Sequence, residues 1–510
     1  MEASGLAVVP HELEIFEAAG NYAKAAISDF MSGEICEVQF AEIESQAMVK
    51  GLEFSRLLIQ GQLELRAFKE SKLKQVTGAD GVERQHVRKD CEHEIMTLCG
   101  KVTARRLGYN RYGGQFLFPL DKELNLPIDR YSYGLRRRTG EEVARGSYDQ
   151  TVSIVGETTG GKVPKRQVRQ LAVDIAQDFE TFYATGYAAG VEETCDPLIL
   201  SLDGKGIVMR KEGLTEATRK KAEKEEQKTG MARLSGSKGD GNRKRMATVA
   251  AVYSIPRHVR SPESIMREGD EAHVKRPKWR NKRVWASIER KASVVTEEVF
   301  AEAIRRDPTK SRPWTIVVDG QPQQLKNIQA CIKQYKIENV TLVLDFIHVL
   351  EYLWKAAHSF GFQGTEAEAW VRKRALNILR GKASDVAGGI SRSATLRKVK
   401  APARKVIDTS VEYFLKYTDM MKYDQYLAAG MPIASGVIEG ACRHLIKDRM
   451  DITGARWGLQ GAEAVLKLRS LKSSGDFDEY WDFYKAQSHQ RNHISRYAPL
   501  PFSAPSQIAA

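Results

Sequence analysis

The chain has 510 residues, 42% of them apolar and 28% charged, the profile of a folded multi-domain protein rather than a disordered one. Its 79 Lys and Arg outnumber 65 Asp and Glu, for a net charge of +14, which points toward a polyanionic partner. No run approaches the roughly 18–20 apolar residues that span a bilayer, and the N-terminus reads unlike a signal peptide, so a cytoplasmic protein with no membrane partner is expected.

The six cysteines, Cys36, Cys91, Cys99, Cys195, Cys331 and Cys442, are scattered singly. They give neither a disulfide framework nor a zinc-ligand spacing, and Cys91, His93 and Cys99 lack an evident fourth ligand. From residue 11 to about 75, apolar positions recur at three- and four-residue spacing, as in Leu52-Glu-Phe-Ser-Arg-Leu-Leu-Ile, which predicts amphipathic helix. Residues 75 to 125 turn mixed and glycine-bearing. Next, 147–158 suits a short helix, Thr159-Gly160-Gly161 a turn, and Pro164 the first position of a second helix carrying Lys165, Arg166 and Arg169. This is either a helix-turn-helix that enters the major groove or a helical hairpin with a solvated basic face.

Between 211 and 246, seven Lys and four Arg face five Glu and one Asp. The stretch reads as helix from Thr218 to Lys228, then as a basic loop around Ser235-Gly-Ser-Lys-Gly-Asp-Gly. A second basic run, Lys275-Arg-Pro-Lys-Trp-Arg-Asn-Lys-Arg, places Trp279 among cations. Phosphate neutralisation plus a stacking indole suits nucleic acid, and a solvated linker explains either run equally well.

Three carboxylates stand where apolar elements stop. Pro197-Leu-Ile-Leu-Ser-Leu ends at Asp203-Gly204 and is followed by Ile207-Val-Met, which predicts a strand with a hairpin partner. Trp314-Thr-Ile-Val-Val ends at Asp319-Gly320, a helix follows with Leu325, Ile328, Ile332 and Tyr335 on one face, and Val340–Leu344 makes another strand before Asp345. Glu439 lies on a helix that Ser435 can cap, with Glu439, Arg443 and Lys447 at i, i+4 and i+8. Asp-Gly turns and a surface ion pair explain each one singly. Their order, however, is the succession of RNase H-like nucleases and integrases. There the first and fourth strands are parallel neighbours, which brings Asp203 and Asp319 to one sheet edge beneath Glu439. Clustered carboxylates require cations and select hard ions, Mg²⁺ or Mn²⁺. Two such ions about 4 Å apart serve phosphodiester chemistry.

The motif wording resembles insertion-sequence transposases of the ISKra type, related to the Mutator-like group of DDE transposases. From about residue 90 onward the resemblance is carried by Pro119-Leu-Asp-Lys-Glu-Leu-Asn-Leu-Pro127, Tyr131-Ser-Tyr, Asp178-Phe-Glu-Thr-Phe-Tyr183, Leu202-Asp-Gly, Val318-Asp-Gly, Leu344-Asp-Phe-Ile-His-Val, Ser435-Gly-Val-Ile-Glu439, Thr453-Gly-Ala-Arg-Trp457 and Gly461–Arg469. Ala434 and Ala455 depart from the usual Gly and Met.

The resemblance implies a mixed α/β chain, with an RNase H-like catalytic domain, a helical insertion and a largely helical N-terminal DNA-binding region. It implies Asp203, Asp319 and Glu439 as catalytic metal ligands for two Mg²⁺ or Mn²⁺ ions, with Asp345 and His348 as accessories. Asp345 competes for the second position, and Asp319 is preferred because both the Asp-Gly form and the later Asp-x-x-His then fit. His348 orients a phosphate or a carboxylate, or packs at a helix start. Arg443, His444, Lys447 and Arg456 are expected to face DNA. Trp457 either stacks on a base or, the favoured reading, packs in the core.

The expected segments are a helical region over 1–90, a DNA-binding region over 91–190, catalytic core over 191–350, helical insertion over 351–431, core with the Glu helix over 432–485, and a tail over 486–510. Expected partners are double-stranded DNA, as terminal inverted repeats and target, and further copies of the chain in a dimer or larger oligomer. Metal-dependent cleavage and strand transfer is the expected reaction. A nuclease without strand transfer, or a non-catalytic DNA-binding protein, are the competing readings.

Overall fold

The computed structural model describes residues 10–32, 35, 37–186, 190–228, 243–267, 276–452 and 454–498. The basic loop around 235–241, Lys275 of the second basic run and Thr453 lie outside them. The chain is mixed α/β. Its contacts divide it into one unit of residues 1–180 with 478–510 and another of residues 181–477.

In the first unit the amphipathic stretch forms helices Glu17–Phe30 and Phe40–Lys69. The mixed stretch behind it holds the short strands β1 (Val76–Thr77) and β2 (Glu83–Arg84). Two long antiparallel strands follow, β3 (His86–Thr97) and β4 (Gly100–Asn110). Helices make up most of the region, as expected, and this hairpin is an element that the expectation did not include. β3 is charge-rich, so its alternation shows only when Ile95 is buried against Val102 and Ala104. Gln60 of the long helix bonds both ways with the Thr103 backbone, at 3.0 and 2.8 Å.

Helices Tyr133–Arg145, Tyr148–Thr158 and Lys165–Ile175 pack on one another. Ser147 and Gln150 form a capping box at the start of the second. Pro164 is the N-cap of the third rather than its first residue. Val168, Leu171, Ala172 and Ile175 of that helix are buried, leaving Lys165, Arg166 and Arg169 exposed on its other side.

The second unit is built on a five-stranded sheet of β5 (Leu198–Val208), β6 (Lys244–Ser254), β7 (Arg280–Ser287), β8 (Trp314–Val318) and β9 (Val340–Leu344), in the order β7-β6-β5-β8-β9. β5, β8 and β9 are parallel, while β6 is antiparallel to both its neighbours. The parallel strands are near-continuous apolar runs, as burial on both faces requires. The hairpin expected after Asp203-Gly204 does not form. β5 runs unbroken through Gly204 and Gly206 to Val208, paired throughout with β6. Gly204 makes no turn here, and a Cβ on it would meet only the flexible end of Met246, at 3.2 Å. Helix Pro322–Tyr335 joins β8 to β9, and helices lie between residues 346 and 428. Helix Leu459–Ser474 packs on β7, where Glu463 accepts from the Ser287 hydroxyl and the Ile288 amide, each at 2.8 Å.

Candidate active site

Register brings three aspartates into one row. Ser201 of β5 pairs with Val317 of β8, and Val317 with Val343 of β9. Asp203, Asp319 and Asp345 each stand two residues further along. Side chains alternate along a strand and neighbouring strands lie about 4.8 Å apart. Asp203 therefore shares a face with Ile199, and Ile199, Tyr253 and Val317 form a buried cluster on that face. Val437 packs against the same cluster. Val437 belongs to helix Gly436–Ala441, which carries Glu439. A local strand pattern and a distant helix thus deliver carboxylates to one side of the sheet.

The four carboxylates have different surroundings. Asp203 is half-buried, accepting from the Gly204 amide at 2.6 Å and facing the Cys442 thiol at 3.1 Å. Burial and the adjacent Asp203 push that thiol far above its ordinary value, so it stays protonated and donates. Asp319 accepts from the Gln321 amide at 2.8 Å, a turn that starts helix Pro322–Tyr335. Glu439 is exposed on its helix.

Asp345 is 2% exposed, and its carboxylate is fully engaged. One oxygen caps helix Phe346–Ser359 through the Ile347 amide at 2.9 Å. The other accepts from the Ser435 amide at 3.2 Å and from the Ser435 hydroxyl. Ser435 stands at the N-cap of the Glu439 helix but makes no side-chain cap there, because its hydroxyl is directed to Asp345. Asp345 thus ties the start of the Glu439 helix to the end of β9.

Tyrosines of the helical segment, which the sequence reading passed over, hold the strand ends. The Tyr413 hydroxyl donates to the Asp319 carbonyl at 2.8 Å, and Tyr417 donates to the Gly320 carbonyl. Tyr423 donates to the Leu344 carbonyl at 2.7 Å. Gly320 has φ +87°, and a Cβ there would lie 2.9 Å from the Tyr417 ring. Both facts require glycine. The available signal was the run of tyrosines at 413, 417, 423 and 426.

The helix after Glu439 is not the straight α-helix that the i, i+4, i+8 spacing predicts. Residues Cys442–Lys447 wind as a π-helix, a form frequent at functional sites. Arg443 and His444 both lie beside Asp448, at 3.5 and 3.2 Å, and they and Lys447 are exposed. Arg456 is exposed. Trp457 is 6% exposed, with its Nε1 donating to the Met450 carbonyl at 3.0 Å and the Arg449 guanidinium over its ring, so it packs in the core. His348 lies on a helix surface with Nδ1 3.5 Å from Glu351. Lys165 pairs with Asp149 at 2.7 Å, and both are exposed.

An all-oxygen donor set on in-register strands suits a hard divalent cation. Asp203, Asp319 and Glu439, all at least partly open to solvent, could supply it, whereas Asp345 is buried and accepts three hydrogen bonds. Among the described residues no three or more His, Cys, Asp or Glu side chains converge closely enough to hold an ion as they stand. The chain matches no protein-family model and no curated protein.

Proposed function

We propose that the chain is a DNA transposase similar to the ISKra-type, Mutator-like DDE group, with an RNase H-like catalytic unit that cleaves element ends and joins them to target DNA. The observation that carries this reading is the pairing of β5 and β8. The first and fourth strands of the sheet are adjacent and parallel, with Asp203 and Asp319 at matched positions and the Glu439 helix against the same face. Bound Mg²⁺ or Mn²⁺ would activate the attacking oxygen and stabilise the leaving one.

The chain's own part is to present carboxylates and hold them in place. Asp203, Asp319 and Glu439 are the ligands of this proposal. Tyr413 and Tyr417 fix the Asp319–Gly320 backbone, and Asp345 anchors the Glu439 helix through Ser435. The exposed Lys165, Arg166 and Arg169 of the three-helix region, with Arg443, His444, Lys447 and Arg456 beyond Glu439, suit contacts to the phosphates of double-stranded DNA. Two copies or more would hold the paired ends.

The test is strand transfer in vitro with Mg²⁺ and DNA from either side of the gene, where this reading expects inverted repeats. Joined products that vanish in Asp203→Asn, Asp319→Asn and Glu439→Gln support the proposal. Cleavage without joining would make the chain a nuclease, and full activity in Glu439→Gln would end the three-carboxylate reading.

A further inference from the structure

Beside Glu439 lies a cavity of about 1020 Å³, at the upper end of the roughly 300–1,000 Å³ usual for small-ligand sites. Its apolar lining includes Tyr253, Val284, Phe346 and Val437. The same cavity is lined by Arg260, Arg267, Arg276 and Lys282, and Glu439 is the one carboxylate among its described lining residues. The Arg260 guanidinium donates to the carbonyls of His258 and Met431. Burial and the neighbouring Arg276 pull Arg260 down to about 10. Burial lowers Lys282 also. Like charges are gathered at a partly desolvated wall, an arrangement that an anion would stabilise. Trp279 lines the cavity too, 48% exposed, with the Lys282 ammonium 4.3 Å from its ring centroid.

We infer that this cavity binds unpaired DNA, a short single strand leaving the duplex next to Glu439. The inference rests on the transposase reading and adds a strand-separated DNA segment to it. Single-strand sites combine a cationic track for phosphates with aromatic faces on which bases stack, and this lining offers both. A duplex keeps its bases stacked inside and has none to give the indole. Trp279 stacks on a base, Arg276 and Lys282 take flanking phosphates, and the apolar floor receives the next base. The strand then passes Glu439, the position of a strand about to be cut or just released. The basic run around Trp279, ambiguous as sequence, acquires a specific role from this wall.

Binding is measured with the full chain in EDTA, so that no cleavage is needed. The probes are a blunt duplex of the element end and the same duplex with a six-nucleotide oligo(dT) tail. The tail is expected to tighten binding roughly 10-fold or more and to quench tryptophan fluorescence. Trp279→Ala is expected to abolish that gain while binding the blunt duplex as before, which also shows that the variant is folded. Lys282→Ala and Arg276→Ala are each expected to reduce the salt slope of tail binding by about 1. A tail without effect, or a gain that survives Trp279→Ala, overturns the cavity inference while leaving the transposase reading intact. Failure to bind either probe overturns both.

Discussion

Near the starts of β5 and β8, Glu192, Glu302 and Asp307 each meet arginine or a donor array. Glu192 pairs with Arg312 at 2.8 Å and Arg306 at 3.3 Å. Glu302, 1% exposed, is held by Arg283, by Arg305 at 2.8 Å and by Arg306 at 2.6 Å. Asp307 accepts from the Trp314 indole at 2.9 Å and from two backbone amides. At the opposite end, where β5, β8 and β9 carry their aspartates, the partners are neutral: a thiol, a serine hydroxyl and backbone amides. Carboxylates matched by guanidinium stabilise a fold. Carboxylates gathered without it favour a cation from outside.

Substitutions at the two ends should therefore fail in different assays. Asp319→Asn should lower DNA cleavage by roughly 10³-fold or more, the scale of losing a principal electrostatic group, with the melting temperature unchanged. Glu302→Gln should instead take the carboxylate partner from Arg283 and Arg305 and leave Arg306 only Glu192, costing about 3–5 kcal/mol and lowering Tm on the order of 10 °C. Calorimetry alongside the cleavage assay separates them, and an Asp319→Asn that unfolds would erase the contrast.

Acid should attack the arginine end in the same sense. Burial raises the Glu302 carboxyl, but Arg283, Arg306 and Arg305 outweigh it and hold it down to about 2. A group depressed in the folded state contributes stability that is present above its unfolded value, near 4.3, and is lost as pH falls toward the folded one. Urea unfolding midpoints should therefore decline from about pH 4.5 to 2, and Glu302→Gln should flatten that decline.

The sequence displayed one end of this contrast far better than the other. Asp203 and Asp319 close local apolar runs, so a few adjacent residues reveal both the element and its terminal acid. The arginine network draws on positions 192, 283, 302, 306 and 312, whose proximity only the sheet order creates. The same holds for Ser435 and Asp345, 90 residues apart. Asp203-Gly204 also misled, because Asp-Gly is a turn signal and only pairing with β6 carries β5 through it.

Asp345 lies between the two classes, in the aspartate row yet buried, with three hydrogen bonds from neutral donors. Asp345→Asn keeps one acceptor oxygen and must set its NH2 against either the Ile347 or the Ser435 amide, donor to donor, and should cost about 2–3 kcal/mol. Cleavage should fall too, through displacement of Glu439, and Ser435→Ala should show the same loss in milder form. An Asp345→Asn as stable as the parent chain but inactive would move Asp345 into the ligand set in place of Asp319.

The tyrosines test the contrast at its finest. Tyr413 and Tyr423 each donate a hydroxyl proton to a carbonyl at a strand end, one to Asp319 and the other to Leu344. Removing either hydroxyl should cost about 1 kcal/mol of stability, so unfolding alone does not tell them apart. Activity should. Tyr413 bonds the backbone of the aspartate itself, with Tyr417 on the adjoining carbonyl, so Tyr413→Phe loosens the residue that, in the proposed reaction, must hold its place. A misplacement on the order of 1 Å can cost about 10²-fold, and a loop retained by Tyr417 should lose less, roughly 10-fold. Tyr423→Phe acts one residue before Asp345, whose carboxylate is fixed independently by Ile347 and Ser435, and should leave cleavage within about twofold. Equal activity losses in the two variants would mean that the tyrosines support the sheet as a whole rather than the Asp319 position.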